Sequence, residues 1–84
     1  MVGKYVIVDK NGLPVPILFD DLLRHCDVAA GVGKVISAGM FRPLDNGGFH
    51  CWGESTSLGG IRSRDIDSAI LNEWFRKMMD PTYS

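Results

Sequence analysis

The chain holds two histidines and two cysteines, and they form two adjacent pairs, His25-Cys26 and His50-Cys51. Two imidazoles and two thiolates would complete a tetrahedral zinc shell. Their spacing does not suit one. Standard sites use C-x₂₋₄-C and H-x₃₋₅-H, and neighbours on a strand point to opposite faces. The plainer reading makes each cysteine a small buried hydrophobe and leaves each histidine at the surface. No metal and no cofactor are expected. A thiol nucleophile would need an adjacent base and a group orienting that base. Cys51 with His25 and Glu54 could be drawn that way, yet no spacing in the chain requires it. The chain is therefore expected not to be an enzyme.

A second cluster is Ser55-Thr56-Ser57-Leu58-Gly59-Gly60-Ile61-Arg62-Ser63-Arg64. Its hydroxyls, paired glycines and two guanidiniums stand just before a helix N-terminus, where backbone N–H groups and the dipole can receive an anion. Ser55, Ser57, Gly59, Gly60, Arg62, Ser63 and Arg64 form the candidate anion, nucleotide or nucleic-acid site. The segment lacks the G-x-x-x-x-G-K-[ST] order of a P-loop, and Asp65 and Asp67 stand ready to pair with the arginines. Phe41, Phe49 and Trp52 could stack bases, but stacking platforms sit in positive grooves. Nine basic side chains against ten acidic ones, a formal net charge of −1, supply no such groove. Core packing is the expected use of these rings, and nucleic acid is not an expected partner.

The elements that position these residues follow from pattern. Lys4–Lys10 is rich in β-branched and aromatic residues, and Asn11-Gly12 favours the positive φ angles of a type I′ turn. Val15, Ile17 and Phe19 then alternate with Pro14, Pro16 and Leu18. Prolines cannot donate to a ladder, so this second strand belongs at a sheet edge. Asp20 or Asp21 could cap a short helix through Leu22, Leu23 and Cys26, ended by Gly31 and Gly33. Residues 34–42 read as a strand, Pro43–Gly48 as a turn, and Phe49–Ser55 as the returning strand. Residues 55–64 read as an irregular link. A last helix should start near Ser63 or Asp65 and run to about Met79, where Asp80-Pro81 breaks it.

On that helix Ile66, Ile70, Leu71, Trp74, Phe75, Met78 and Met79 sweep an arc of roughly 220°. A one-sided surface helix needs only about 100°. Either the helix is buried on two sides within the monomer or it meets another chain. The small size of the domain favours a second copy of the chain, with Trp74, Phe75, Met78 and Met79 as partner-binding residues.

Length sets the frame. With 84 residues, of which 45% are apolar, a single domain is expected. Such a domain buries only about 60–65% of the surface its unfolded chain exposes. Small domains often add disulfides, metal or a partner subunit. Two cysteines are too few for a disulfide scaffold, which again favours a homodimer. No uncharged apolar run approaches the roughly 20 residues that cross a bilayer. Lys4, Asp9 and Lys10 interrupt any signal-peptide core. The expectation is a cytoplasmic protein with no membrane contact. The fold expected is α+β: an antiparallel sheet of about four strands from two hairpins, a short helical linker, and a C-terminal helix packed on the sheet.

Three segments carry a resemblance. Gly33-Lys34-Val35-Ile36-Ser37-Ala38-Gly39, then Cys51-x-Gly53-Glu54-Ser55-x-Ser57-Leu58, then Ser63-Arg64-x-x-Asp67-Ser68 resemble small uncharacterised bacterial proteins encoded by phages and prophages. The similarity spans about residues 4–75. The Gly59-Gly60 doublet and the pairing of each histidine with a cysteine depart from it. It implies an accessory role exercised by binding a host or phage protein, and it brings no catalytic residues.

Overall fold

A computed structural model describes residues 2–79. Its centre is strand β1, Gly3–Lys10. Tyr5, Val6, Ile7 and Val8 are all fully buried, so side chains on both faces of β1 leave water. Each such side chain contributes about 1.5–3 kcal/mol. That requires cover on both sides of the sheet, and the fold supplies it.

The antiparallel sheet has four strands in the order β2-β1-β3-β4, with β2 at Leu13–Phe19, β3 at Lys34–Pro43 and β4 at Phe49–Trp52. Asn11 at φ 55° and Gly12 at φ 87° make the expected tight turn between β1 and β2. β2 is an edge strand, as its prolines require. Pro14 and Pro16 are two residues apart, so both fall on the same side of the hydrogen-bonding alternation. The carbonyl of Pro14 faces away from β1 and accepts from an indole of the last helix.

A register shift between Ile7 and Val8 opposes them to Ser37 and Val35. Ile36 is the extra residue, a β-bulge that bends β3. It lets Ile36 pack with the Tyr5–Ile7 cluster while Ser37 also turns to that face. At Gly39 an added Cβ would stand 2.4 Å from the carbonyl oxygen of Trp52, so the close approach of β3 to the end of β4 needs glycine.

The C-terminal helix α2, Asp67–Met79, packs on the face carrying Tyr5, Ile7, Phe41 and Phe49, with Leu71 as its buried centre. The expected N-caps Ser63 and Asp65 stay outside the helix, which starts at Asp67. There the carboxylate accepts the N–H of Arg64 at 2.9 Å, the back-reaching half of a capping box. The break expected at Asp80-Pro81 and the side chain of Met79 lie outside the described residues.

The opposite face carries Val6, Val8 and Ala38. It is covered by helix α1, His25–Ala29, and by a small ordered unit where the sequence predicts an irregular link. Gly53, at φ 87°, ends β4. The chain then forms β5 (Glu54–Ser55), a 3₁₀ turn (Thr56–Leu58) and β6 (Ile61–Arg62), with β5 and β6 paired antiparallel. Leu58 and Ile61 pack under it. Helix α1 also begins later than expected. Asp20 does not cap it. The Asp20 carboxylate instead accepts the N–H of Leu22 at 2.8 Å, which fixes a turn and leaves Leu22 and Leu23 exposed.

Candidate functional site

Helix α2 divides its wide apolar arc between the two edges of the sheet. On one flank Ser68 and Asn72, one turn apart, accept the N–H groups of Cys51 (3.1 Å) and Phe49 (2.8 Å). These donors belong to edge strand β4 and would otherwise be open to another strand. Phe75, on the same flank, meets Phe49 edge-to-face at 5.3 Å. On the other flank the Trp74 indole donates to Pro14 O at 3.1 Å. Lys77 Nζ lies 5.7 Å from the Trp74 ring centre, within cation–π range.

This second flank forms a groove of about 250 Å³ against the β1–β2 turn. Leu13, Pro14, Ile66, Ile70 and Trp74 wall it, and Glu73 and Lys77 stand at its rim. The surface around it is wet and apolar: Leu13 is 51% exposed, Ile66 55% and Met78 72%. Phe75 keeps 43% of its surface exposed despite Phe49. Of the expected partner-binding residues whose side chains are described, Met78 is the most open, Phe75 is half committed to the monomer, and Trp74 is a wall of the groove. Leu13 and Ile66 belong to the same surface. No periodicity of α2 points to Leu13, which starts β2 and is distant from the helix in sequence.

The Ser55–Arg64 segment does not gather its cations. Arg62 Nε lies 3.6 Å from Glu54, and Arg64 Nε lies 3.1 Å from Asp67. Gly59 and Gly60, at φ 74° and 86°, turn the chain from the 3₁₀ turn to β6. Ser55 is buried, with its hydroxyl 3.2 Å from that of Ser57.

The buried site that sequence reasoning missed is Asp67, a fully buried carboxylate. Oδ2 accepts the Tyr5 hydroxyl at 2.5 Å and the Arg64 N–H, while Oδ1 accepts Ser37 at 3.0 Å and Arg64 Nε at 3.1 Å. Four donors satisfy the buried charge, as burial demands. Arg64 Nη2 is buried without a hydrogen-bond partner. Burial, and next the hydrogen bond and charge of Asp67, push the Tyr5 phenol well above its usual range.

The His-Cys pairs come apart. His25 is buried, contrary to the surface position expected for it, and its Nε2 donates to Gly39 O at 2.9 Å. Its ring also meets Phe19 edge-on at 5.4 Å. His50 is exposed and stacks on Trp52. Phe41 and Phe49 are core residues. Burial pushes the Cys51 thiol up, away from the thiolate that a nucleophile needs. Among the described residues, no three His, Cys, Asp or Glu side chains form a metal-binding group. Among them, too, no helix is long and apolar enough to cross a membrane.

Neither protein-family models, curated proteins nor solved structures match the chain.

Proposed function

We propose that the chain is a non-enzymatic protein-interaction module that works as a homodimer through the outer surface of α2 and the groove beside it. Its role would be of the phage or prophage accessory kind that the sequence resemblance implies. The observation that carries the reading is the wet apolar surface of Leu13, Ile66 and Met78 around the groove, with half-exposed Phe75 on the other flank of α2. Apolar area of this kind, rimmed by charge, is what association removes from water.

A second copy suits the rim. Glu73 and Lys77 are one helical turn apart, with Lys77 Nζ 4.0 Å from Glu73. Two α2 helices packed antiparallel about a two-fold axis place Glu73 of one copy opposite Lys77 of the other, twice. A two-fold interface is self-complementary in just this way. Exposed ion pairs add little affinity, so the apolar surface supplies the energy and the charges fix the orientation.

The test is sedimentation of the full chain at micromolar concentration, beside Met78→Asp. A dimer that the aspartate dissolves supports the reading. A monomer in both cases removes it.

A further inference from the structure

A polar recess lies at the other end of the molecule, beyond Val6 and Ala38 on the face away from α2. Its volume is about 210 Å³, and its wall includes Lys4, Arg24, His25, Ser55, Thr56 and Ser57. Four parts of the chain meet there: the start of β1, the start of α1, Met40 of β3, and β5 with the turn after it. We propose that this recess binds a phosphate dianion, free or as a phosphomonoester.

Several hydrogen-bond donors on its wall are unused. Lys4 Nζ gives one hydrogen to Leu23 O at 2.9 Å and has no carboxylate within 4.0 Å among the described residues. An ammonium has three hydrogens, so two remain. Arg24 engages Asp27 through Nε and Nη2, which leaves the Nη1 hydrogens. Ser55 and Ser57 have two hydroxyl hydrogens between them, and their mutual bond uses one. Ser57 Oγ also accepts the N–H of Cys26 at 3.2 Å, so the backbone of α1 holds this hydroxyl pair in place, and one hydrogen of the pair remains free whichever of the two donates.

Charge at the recess favours an anion. Among the described residues Glu54 is the one acidic side chain on the wall, and its carboxylate pairs with Arg62. The Lys4 charge is therefore uncompensated. The volume equals that of about seven waters at roughly 30 Å³ each, enough for a tetrahedral oxyanion with part of its hydration shell. Several donors converging from different elements suit a tetrahedral dianion. The hydroxyls Ser55 and Ser57 belong to the anion site read from the sequence. Their cations are Lys4 and Arg24, in place of Arg62 and Arg64.

Inorganic phosphate titrated into the isotope-labelled full chain, followed by amide chemical shifts, tests the site. Saturable shifts are expected at His25, Cys26 and Ser55–Ser57. Lys4→Met should weaken binding about tenfold or more, the scale of a hydrogen bond to a charged group. Arg62→Met should change it less than about twofold. Arg24→Met, on an exposed side chain off the sheet, keeps the test open should Lys4→Met fail to fold. A shift that never saturates, or equal losses in Arg62→Met and Lys4→Met, would overturn the proposal. A nucleoside monophosphate in a parallel titration separates the two sources. Tighter binding than phosphate identifies the ester, and equal binding identifies the free anion.

Discussion

The hydroxyl of Tyr5 on the central strand donates to the carboxylate of Asp67 on the first turn of α2, across 62 residues of sequence. This contact holds the helix to the sheet at the end where α2 begins, while Leu71 holds its middle. With Ser37 and Arg64 it turns a buried charge into a specific anchor. A helix free to slide would misplace Ser68, Asn72 and Trp74 together, so the surface of α2 depends on it.

Asp67→Ala should cost about 3–5 kcal/mol, because it strands several buried donors at once. That is a large part of the roughly 4–13 kcal/mol expected for a domain this size. Tyr5→Phe, which leaves the carboxylate three of its donors, should cost about 1–2 kcal/mol. Urea unfolding of both single variants and the double gives the coupling directly. A cost for Asp67→Ala below about 1 kcal/mol would refute the anchor.

Alkali should destabilise the fold. The folded state holds the Tyr5 phenol above its usual value of 10.0, chiefly through burial and the Asp67 bond, and the Cys51 thiol above its usual 9.0, chiefly through burial. Both shifts favour the neutral form, so their stabilisation is full below the unfolded values and is lost as pH rises past them. Stability should therefore fall from about pH 9 upward, and Tyr5→Phe should flatten part of the slope. In a Tyr83→Phe background, phenolate absorbance reports Tyr5 alone. It should appear only with unfolding. Titration of the native protein near the ordinary tyrosine value would contradict this.

Ser68→Ala and Asn72→Ala should each cost about 1 kcal/mol and speed hydrogen exchange at one amide, Cys51 for the first and Phe49 for the second. The pairing of each substitution with one amide is the specific expectation. Exchange that rises evenly along β4 would mean that these side chains do not shield the edge.

The parts of the fold that were legible in the sequence are those with local causes. Asn11-Gly12 fixes the first hairpin, Pro14 and Pro16 send β2 to the edge, and the apolar period of residues 66–79 makes α2. What escaped was non-local or too short. β5 and β6 have two residues each, too few for alternation to show. In the sequence Asp67 reads as a partner for the preceding arginines, and Arg64 does pair with it. Its burial depends on the bulge at Ile36 and on Tyr5, which no spacing reveals. His25 is buried where Gly39 O receives its Nε2 and Phe19 meets its ring, contacts made by residues far from it in sequence or on another strand. The breadth of the apolar arc on α2 was legible. Its division between Phe49 on one flank and Pro14 on the other depends on strand order. Lys4, Arg24 and Ser57 meet only because α1 and the 3₁₀ turn cover the same end of the sheet.

The central claim is that α2 meets a second copy of the chain. Sedimentation equilibrium across micromolar concentrations, on the wild type and on Ile66→Asp and Met78→Asp variants with native circular dichroism, tests it most directly. The account predicts a reversible wild-type dimer of twice 9.3 kDa and two folded monomeric variants. A wild type that stays at 9.3 kDa throughout, or variants that dimerise as well as it does, would contradict it.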